Sequence, residues 1–129
     1  MATYCIRADV EQIYGATNVA NFADLDRDGS SVKIAARITA AIVTASAIVD
    51  DYGRATNYRI PYTTDAGAVP TTIIDVTARL TGLLLYEPLG ADGFSPDGKA
   101  NHKYYYQREM LNQFWADIHA GRRILDSVR

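Results

Sequence analysis

One stretch, Ser30 to Gly53 (SSVKIAARITAAIVTASAIVDDYG), restricts the fold more than any other part of the sequence. Ile34, Ile38, Ala41, Ile42, Ala45, Ile48, Val49 and Tyr52 recur at steps of three and four, which aligns them along one stripe of an α-helix. Val32, Ala36, Thr39, Ala40, Val43 and Ala47 form a second stripe of small residues, open to close approach by a neighbour. Only Lys33, Arg37, Asp50 and Asp51 are charged here, too few for a helix lying alone on a surface. The helix is therefore expected to be central, covered by other helices of the chain or by other subunits. Ser30 or Ser31 can serve as its N-cap, and Gly53 can end it in the left-handed conformation.

The remaining segments extend the helical pattern. Arg7 to Tyr14 reads as a short helix with Val10, Ile13 and Tyr14 on one side and Gly15 as its stop, and Asn18 to Ala23 as a further turn or two. A polar loop, ADLDRDGSS, leads into the central helix. The segment from Arg54 to Val69 carries Pro61, a glycine and several Thr and Asn residues, so it reads as irregular chain with Ile60 extended before Pro61. Pro70 suits the first turn of a buried helix marked by Ile73, Val76, Ala78, Leu80, Leu83, Leu84 and Tyr86. Pro88 ends it, an exposed loop with three glycines runs to about Asn101, and a last long helix is expected from Asn101 to His119 with Gly121 as its stop. With no convincing strand, the fold class is all-α: one helical domain over residues 1–121 and a C-terminal arm over 122–129.

Composition narrows the function classes. A chain of 129 residues is long enough for a core without disulfides or metal. Thirteen basic against fifteen acidic side chains give a net charge of -2, which does not favour clamping DNA through its phosphates. Cys5 is the only cysteine, so neither an internal disulfide nor a thiolate zinc site is expected. The start MATYCIRADVEQ lacks a signal-peptide pattern, and no run approaches the eighteen apolar residues of a membrane span, so the expectation is a soluble protein that is not secreted.

Candidate chemistry is thin. Asp24, Asp26, Asp28 and Gly29 repeat the opening of an EF-hand loop, where oxygen ligands fall at positions one, three and five and glycine at six. Position nine is Val32 and position twelve, which should be a bidentate glutamate, is Ala35; an Asp-rich turn before a helix N-terminus explains the same residues. His102 and His119 stand seventeen residues apart on one expected helix and cannot share a site. Asp50 and Asp51 point about 100° apart and are expected to solvate the helix end. No nucleophile elbow, phosphate loop or dinucleotide fingerprint occurs, so the chain is expected to be no enzyme and to need no cofactor or metal. Tyr104, Tyr105 and Tyr106 cover most of a helix's circumference, so at least one points outward, the placement typical of protein interfaces rather than base stacking.

Five motifs taken together carry a resemblance. Tyr4-Cys5 with Arg7-Ala8-Asp9, the Asp24-Leu25-Asp26-Arg27-Asp28-Gly29 loop, the Ala45 to Tyr52 helix end, Tyr58-Arg59-Ile60-Pro61, and Ala120-Gly121 with Leu125 resemble the Mu-type phage head-tail adaptor proteins, long classed as a domain of unknown function. The likeness covers nearly the whole chain, though the loop from Leu89 to Ala100 looks longer than is usual for the family. The resemblance implies a virion protein made in the host cytoplasm that forms a ring, typically a dodecamer, beneath the portal protein. The ring would meet a tail completion or stopper protein on its other side, with DNA passing through the lumen unbound and no membrane involved. It further implies a C-terminal arm contacting the portal through Arg122, Arg123, Ile124, Leu125, Val128 and Arg129. Tyr58, Ile60, Tyr62, Tyr104 and Tyr105 are expected at the subunit interface, with the 54–69 segment projecting into the lumen or onto a neighbour. A small cytosolic protein-binding or regulatory module is the alternative that the same helices allow.

Overall fold

The computed structural model describes residues 3–54, 56, 58–86, 102–121, 125 and 127, with the side chains of 102–106 outside the description. Five helices follow in order: α1 (Arg7–Tyr14), α2 (Ala16–Ala23), α3 (Ser31–Arg54), α4 (Thr71–Tyr86) and α5 (His102–His119). No strand occurs among the described residues, and the fold is all-α as the periodicity implies. The expected exposed loop between α4 and α5 lies outside the described residues.

Local chemistry sets the helix ends. The Asp9 carboxylate accepts the Ile6 N–H at 2.9 Å and the Asp9 N–H donates to the Ile6 carbonyl at 3.0 Å, closing the first turn of α1. Gly15, at φ 92°, separates α1 from α2. Ser30 caps α3 through its hydroxyl, which accepts the Lys33 N–H at 3.4 Å. Pro70 stands one residue before α4 rather than within it, and its carbonyl accepts the Ile73 and Ile74 N–H groups at 3.0 and 3.1 Å. Gly121, at φ 74°, follows α5 as expected.

Gly53 corrects the expectation of a left-handed stop, because α3 runs on through it to Arg54. Its reason is space: a Cβ at Gly53 would overlap the phenol of Tyr62. Gly82 in α4 does the same for the ring of Tyr14, whose hydroxyl donates to the Arg79 carbonyl at 2.7 Å.

The core lies along α3, with α4 as its principal partner. Towards its N-terminal half, Ile38 and Ile42 pack with Val10, Val19, Ala23, Ala78 and Leu85 from α1, α2 and α4. Towards the other end, Val49 packs with Tyr62, Ile73, Val76, Leu83, Leu111, Phe114, Trp115 and Ile118. Thr77 and Thr81 are fully buried, and their hydroxyls donate to the Ile73 and Thr77 carbonyls at 2.7 and 2.8 Å, so neither burial leaves an unpaired group. By length and composition α3 could cross a membrane, its most apolar 18-residue window having a mean hydropathy of 1.7, which the count of consecutive apolar residues did not reveal. Its inner face packs against the other helices of the domain.

Candidate interaction surfaces

Among the described residues, the outer face of α3 is exposed. Val32 is 78% exposed and Val43 39%, and Ala36, Thr39, Ala40 and Thr44 between and beside them are also exposed. At 1.5 Å per residue, the stripe from Val32 to Ala47 is about 22 Å long. Of the two faces read from the periodicity, the chain therefore buries only the first. Charge is kept off the second: Lys33 pairs with Asp28 at 2.8 Å and Asp26 at 3.5 Å, and Arg37 pairs with Asp26 and donates to the Ala23 carbonyl, both at 3.1 Å. Beside this face a groove of about 280 Å³ is lined by Phe22, Leu25, Arg37, Ala40, Thr44 and Leu84 among others.

A second groove of about 280 Å³ lies between α3, α4 and α5, lined by Tyr52, Leu80, Leu83, Arg108, Leu111 and Trp115 among others. Tyr52 and Trp115 stack across it, with ring centroids 4.8 Å apart and planes 13° from parallel. Val43 and Tyr52 are nine residues apart, which at about 100° per residue puts them on opposite sides of α3. The chain thus carries two unlike patches, an apolar outer face on α3 and a mixed groove at Tyr52 and Trp115, and Leu84 lines the grooves beside both.

The Asp24–Gly29 loop is held by its own groups. The Asp24 carboxylate accepts the Asp28 and Gly29 N–H groups, each at 3.2 Å, and Asp28 accepts the Ser30 N–H at 3.1 Å. The hydrogen bond from Lys33 is the main cause holding the Asp28 carboxyl below its usual range, and Asp28 in return raises the Lys33 ammonium. The carboxylates that would bind a cation instead accept N–H groups and pair with Lys33 and Arg37. Among the described residues no group of three His, Cys, Asp or Glu side chains is arranged to hold a metal ion.

Within the 54–69 segment Tyr58, Ile60, Tyr62 and Val69 pack on the core, whereas Asp65 to Ala68 form an exposed turn. Tyr62 is fully buried and has no surface to offer a neighbour, while Tyr58 and Ile60 are half-buried against the same cluster. The Tyr62 hydroxyl donates to the Val49 carbonyl at 3.2 Å, and its N–H donates to the Tyr4 hydroxyl oxygen at 3.2 Å. Tyr4 in turn donates its O–H to Asp50 and its N–H to Ser46 Oγ at 3.1 Å. Asp50 therefore does not solvate the helix end as expected; it is buried and paired with a phenol, whereas Asp51 is exposed. Burial is the main cause that pushes the Tyr4, Tyr14 and Tyr62 hydroxyls well above the usual tyrosine range.

Of the C-terminal residues expected to contact a partner, Arg122, Arg123, Ile124, Val128 and Arg129 lie outside the described residues, as do the side chains of Tyr104, Tyr105 and His102. Leu125 is buried in the chain's own core, and its N–H donates to the Tyr58 hydroxyl oxygen at 2.7 Å. His119 approaches the Tyr52 carbonyl, with its Nε2 at 3.3 Å. Cys5 is buried beside Thr81, 3.9 Å from its hydroxyl, and burial raises its thiol above the usual range.

The sequence profile of the family described as Bacteriophage Mu, Gp36 matches residues 4–127. No curated protein matches the sequence.

Proposed function

The chain belongs to the Bacteriophage Mu Gp36 family, a membership that supports a structural or morphogenetic role in the phage, and from it we propose a head-tail adaptor. In this reading copies of the chain form a ring between the portal protein and the tail, DNA passes through the ring unbound, and no substrate is transformed. One observation supports it above the rest: the outer face of α3 is uncharged and exposed from Val32 to Thr44, over about 18 Å. A ring of identical subunits needs two different patches on each copy that meet head to tail. The α3 face and the Tyr52–Trp115 groove are two such patches. A net charge of -2 suits a lumen that DNA must slide through, since dense phosphate contacts would retain it.

The test is assembly on the template. Purified chain mixed with the portal protein of the same phage is expected to sediment with it and to give rings in negative-stain images. A chain that stays monomeric or dimeric and does not bind the portal protein would overturn the proposal in favour of a small regulatory module.

A further inference from the structure

We propose that the exposed Asp65–Ala68 turn of one copy seats in the groove between α3, α4 and α5 of the next copy, with the Asp65 carboxylate paired to the Arg108 guanidinium. The proposal rests on the adaptor reading and names one contact, beside the outer face of α3, within the head-to-tail interface that it requires. The turn keeps its shape through its own backbone. The Thr64 N–H donates to the Ala68 carbonyl at 2.7 Å, the Gly67 N–H to the Thr64 carbonyl at 2.9 Å, and the Ala68 N–H to the Thr64 hydroxyl oxygen at 3.3 Å. Gly67 supplies the left-handed conformation at φ 82°, and nothing lies within 4 Å of where its Cβ would be, so the apex stands clear of the other described residues. A turn already ordered in this way loses little conformational freedom on docking. Asp65 is exposed, and among the described residues its carboxylate has neither a hydrogen bond nor an ion pair.

The groove offers the matching charge. Arg108 lines it together with Tyr52, Leu80, Leu83, Leu111 and Trp115, and is itself exposed and unpaired among the described residues. Tyr52, 37% exposed and stacked on Trp115, gives the groove a fixed aromatic wall. Ala66, Gly67 and Ala68 are small enough to approach that wall closely while the carboxylate beside them meets the guanidinium. Within one chain the two features lie apart: the turn precedes the start of α4, whereas the groove begins at Leu80, nine residues or about 14 Å along that helix. The complementary charges therefore stand on two different patches, the arrangement that joins identical copies head to tail.

Charge reversal tests this. Asp65→Arg sets two cations against each other at every contact, and Arg108→Asp sets two carboxylates. One exposed pair contributes little, but like charges repeated at every contact of a closed ring compound. Either variant alone is expected to form rings on the portal protein at a yield at least about fivefold below that of the wild-type chain. An equimolar mixture of the two variants is expected to restore the yield, because each contact between unlike copies then joins opposite charges; mixing would not cure a loss of fold. Wild-type yields from either variant alone, or a mixture no better than its components, overturn this contact and leave the adaptor reading standing. Failure of the wild-type chain to form rings on the portal protein overturns that reading and the contact with it.

Discussion

Tyr62 lies against the backbone of Gly53 so closely that a methyl group on that glycine would overlap its phenol. The contact joins the irregular 58–63 segment to the last turns of α3, and it makes Gly53 a packing residue inside a helix rather than the end of one. Gly82 and Tyr14 repeat the arrangement between α4 and α1.

Gly53→Ala should therefore act against helix propensity. In an exposed helix the change stabilises by about 1 kcal/mol, whereas here forced displacement of Tyr62 should destabilise the protein by about 2 kcal/mol or more. Urea denaturation followed by the emission of Trp115, the only tryptophan, measures the difference. An equal or higher midpoint would mean that Tyr62 yields freely.

Alkaline pH should unfold the protein steeply. Burial raises the hydroxyls of Tyr4, Tyr14 and Tyr62 above their unfolded value of 10.0, so the folded state holds three protons that the unfolded state releases. Their contribution is complete below pH 10 and declines above it, by up to about 4 kcal/mol per pH unit for three protons. Denaturant midpoints recorded from pH 8 to 12 should stay level and then fall, and Tyr14→Phe should make the fall less steep. A midpoint independent of pH up to 12 would contradict the burial of these phenols.

Divalent cations should leave the melting temperature unchanged. The Asp24 and Asp28 carboxylates already accept N–H groups of their own loop, Lys33 and Arg37 pair with Asp28 and Asp26, and Ala35 stands where a bidentate glutamate would be needed. A cation that bound the folded loop would have to raise stability as its concentration increases. A saturable rise in melting temperature with millimolar calcium, magnesium or manganese would show that the loop opens to a ligand.

Ala36→Glu combined with Val43→Glu should separate folding from association. Both side chains are exposed, so the double variant should stay within about 1 kcal/mol of the parent in denaturation. Two carboxylates on an otherwise uncharged face should abolish ring formation on the portal protein, as seen in electron micrographs. Rings formed normally by the double variant would remove α3 from the subunit contact.

The helices were legible because burial of one face leaves a local trace in sequence. Arg7 to Tyr14 shows it over only eight residues, and the positions of Ile38, Ile42 and Val49 were evident from spacing. Spacing cannot show whether a second apolar face is covered from within: the stripe from Val32 to Ala47 has the same period whether it meets solvent or protein. The roles of Tyr4, Asp50, Tyr62 and Leu125 were hidden for a different reason. Their bonds join residues 46, 58 and 67 positions apart, and nothing near any of them announces a partner at that distance. Asp50 in particular reads as a solvated helix end until Tyr4 is laid across it.

The turn at Asp24–Ser30 and the tyrosine seam around Asp50 occupy opposite extremities of α3, about 28 Å apart along its axis. One extremity is bound by ion pairs in contact with water, the other by phenols shut away from it. Such a chain has a built-in polarity, like an arrow: turned end over end, it would present different chemistry at its two ends. Were copies of it to assemble as proposed, a layer stacked upon them would inherit a heading from the chain itself.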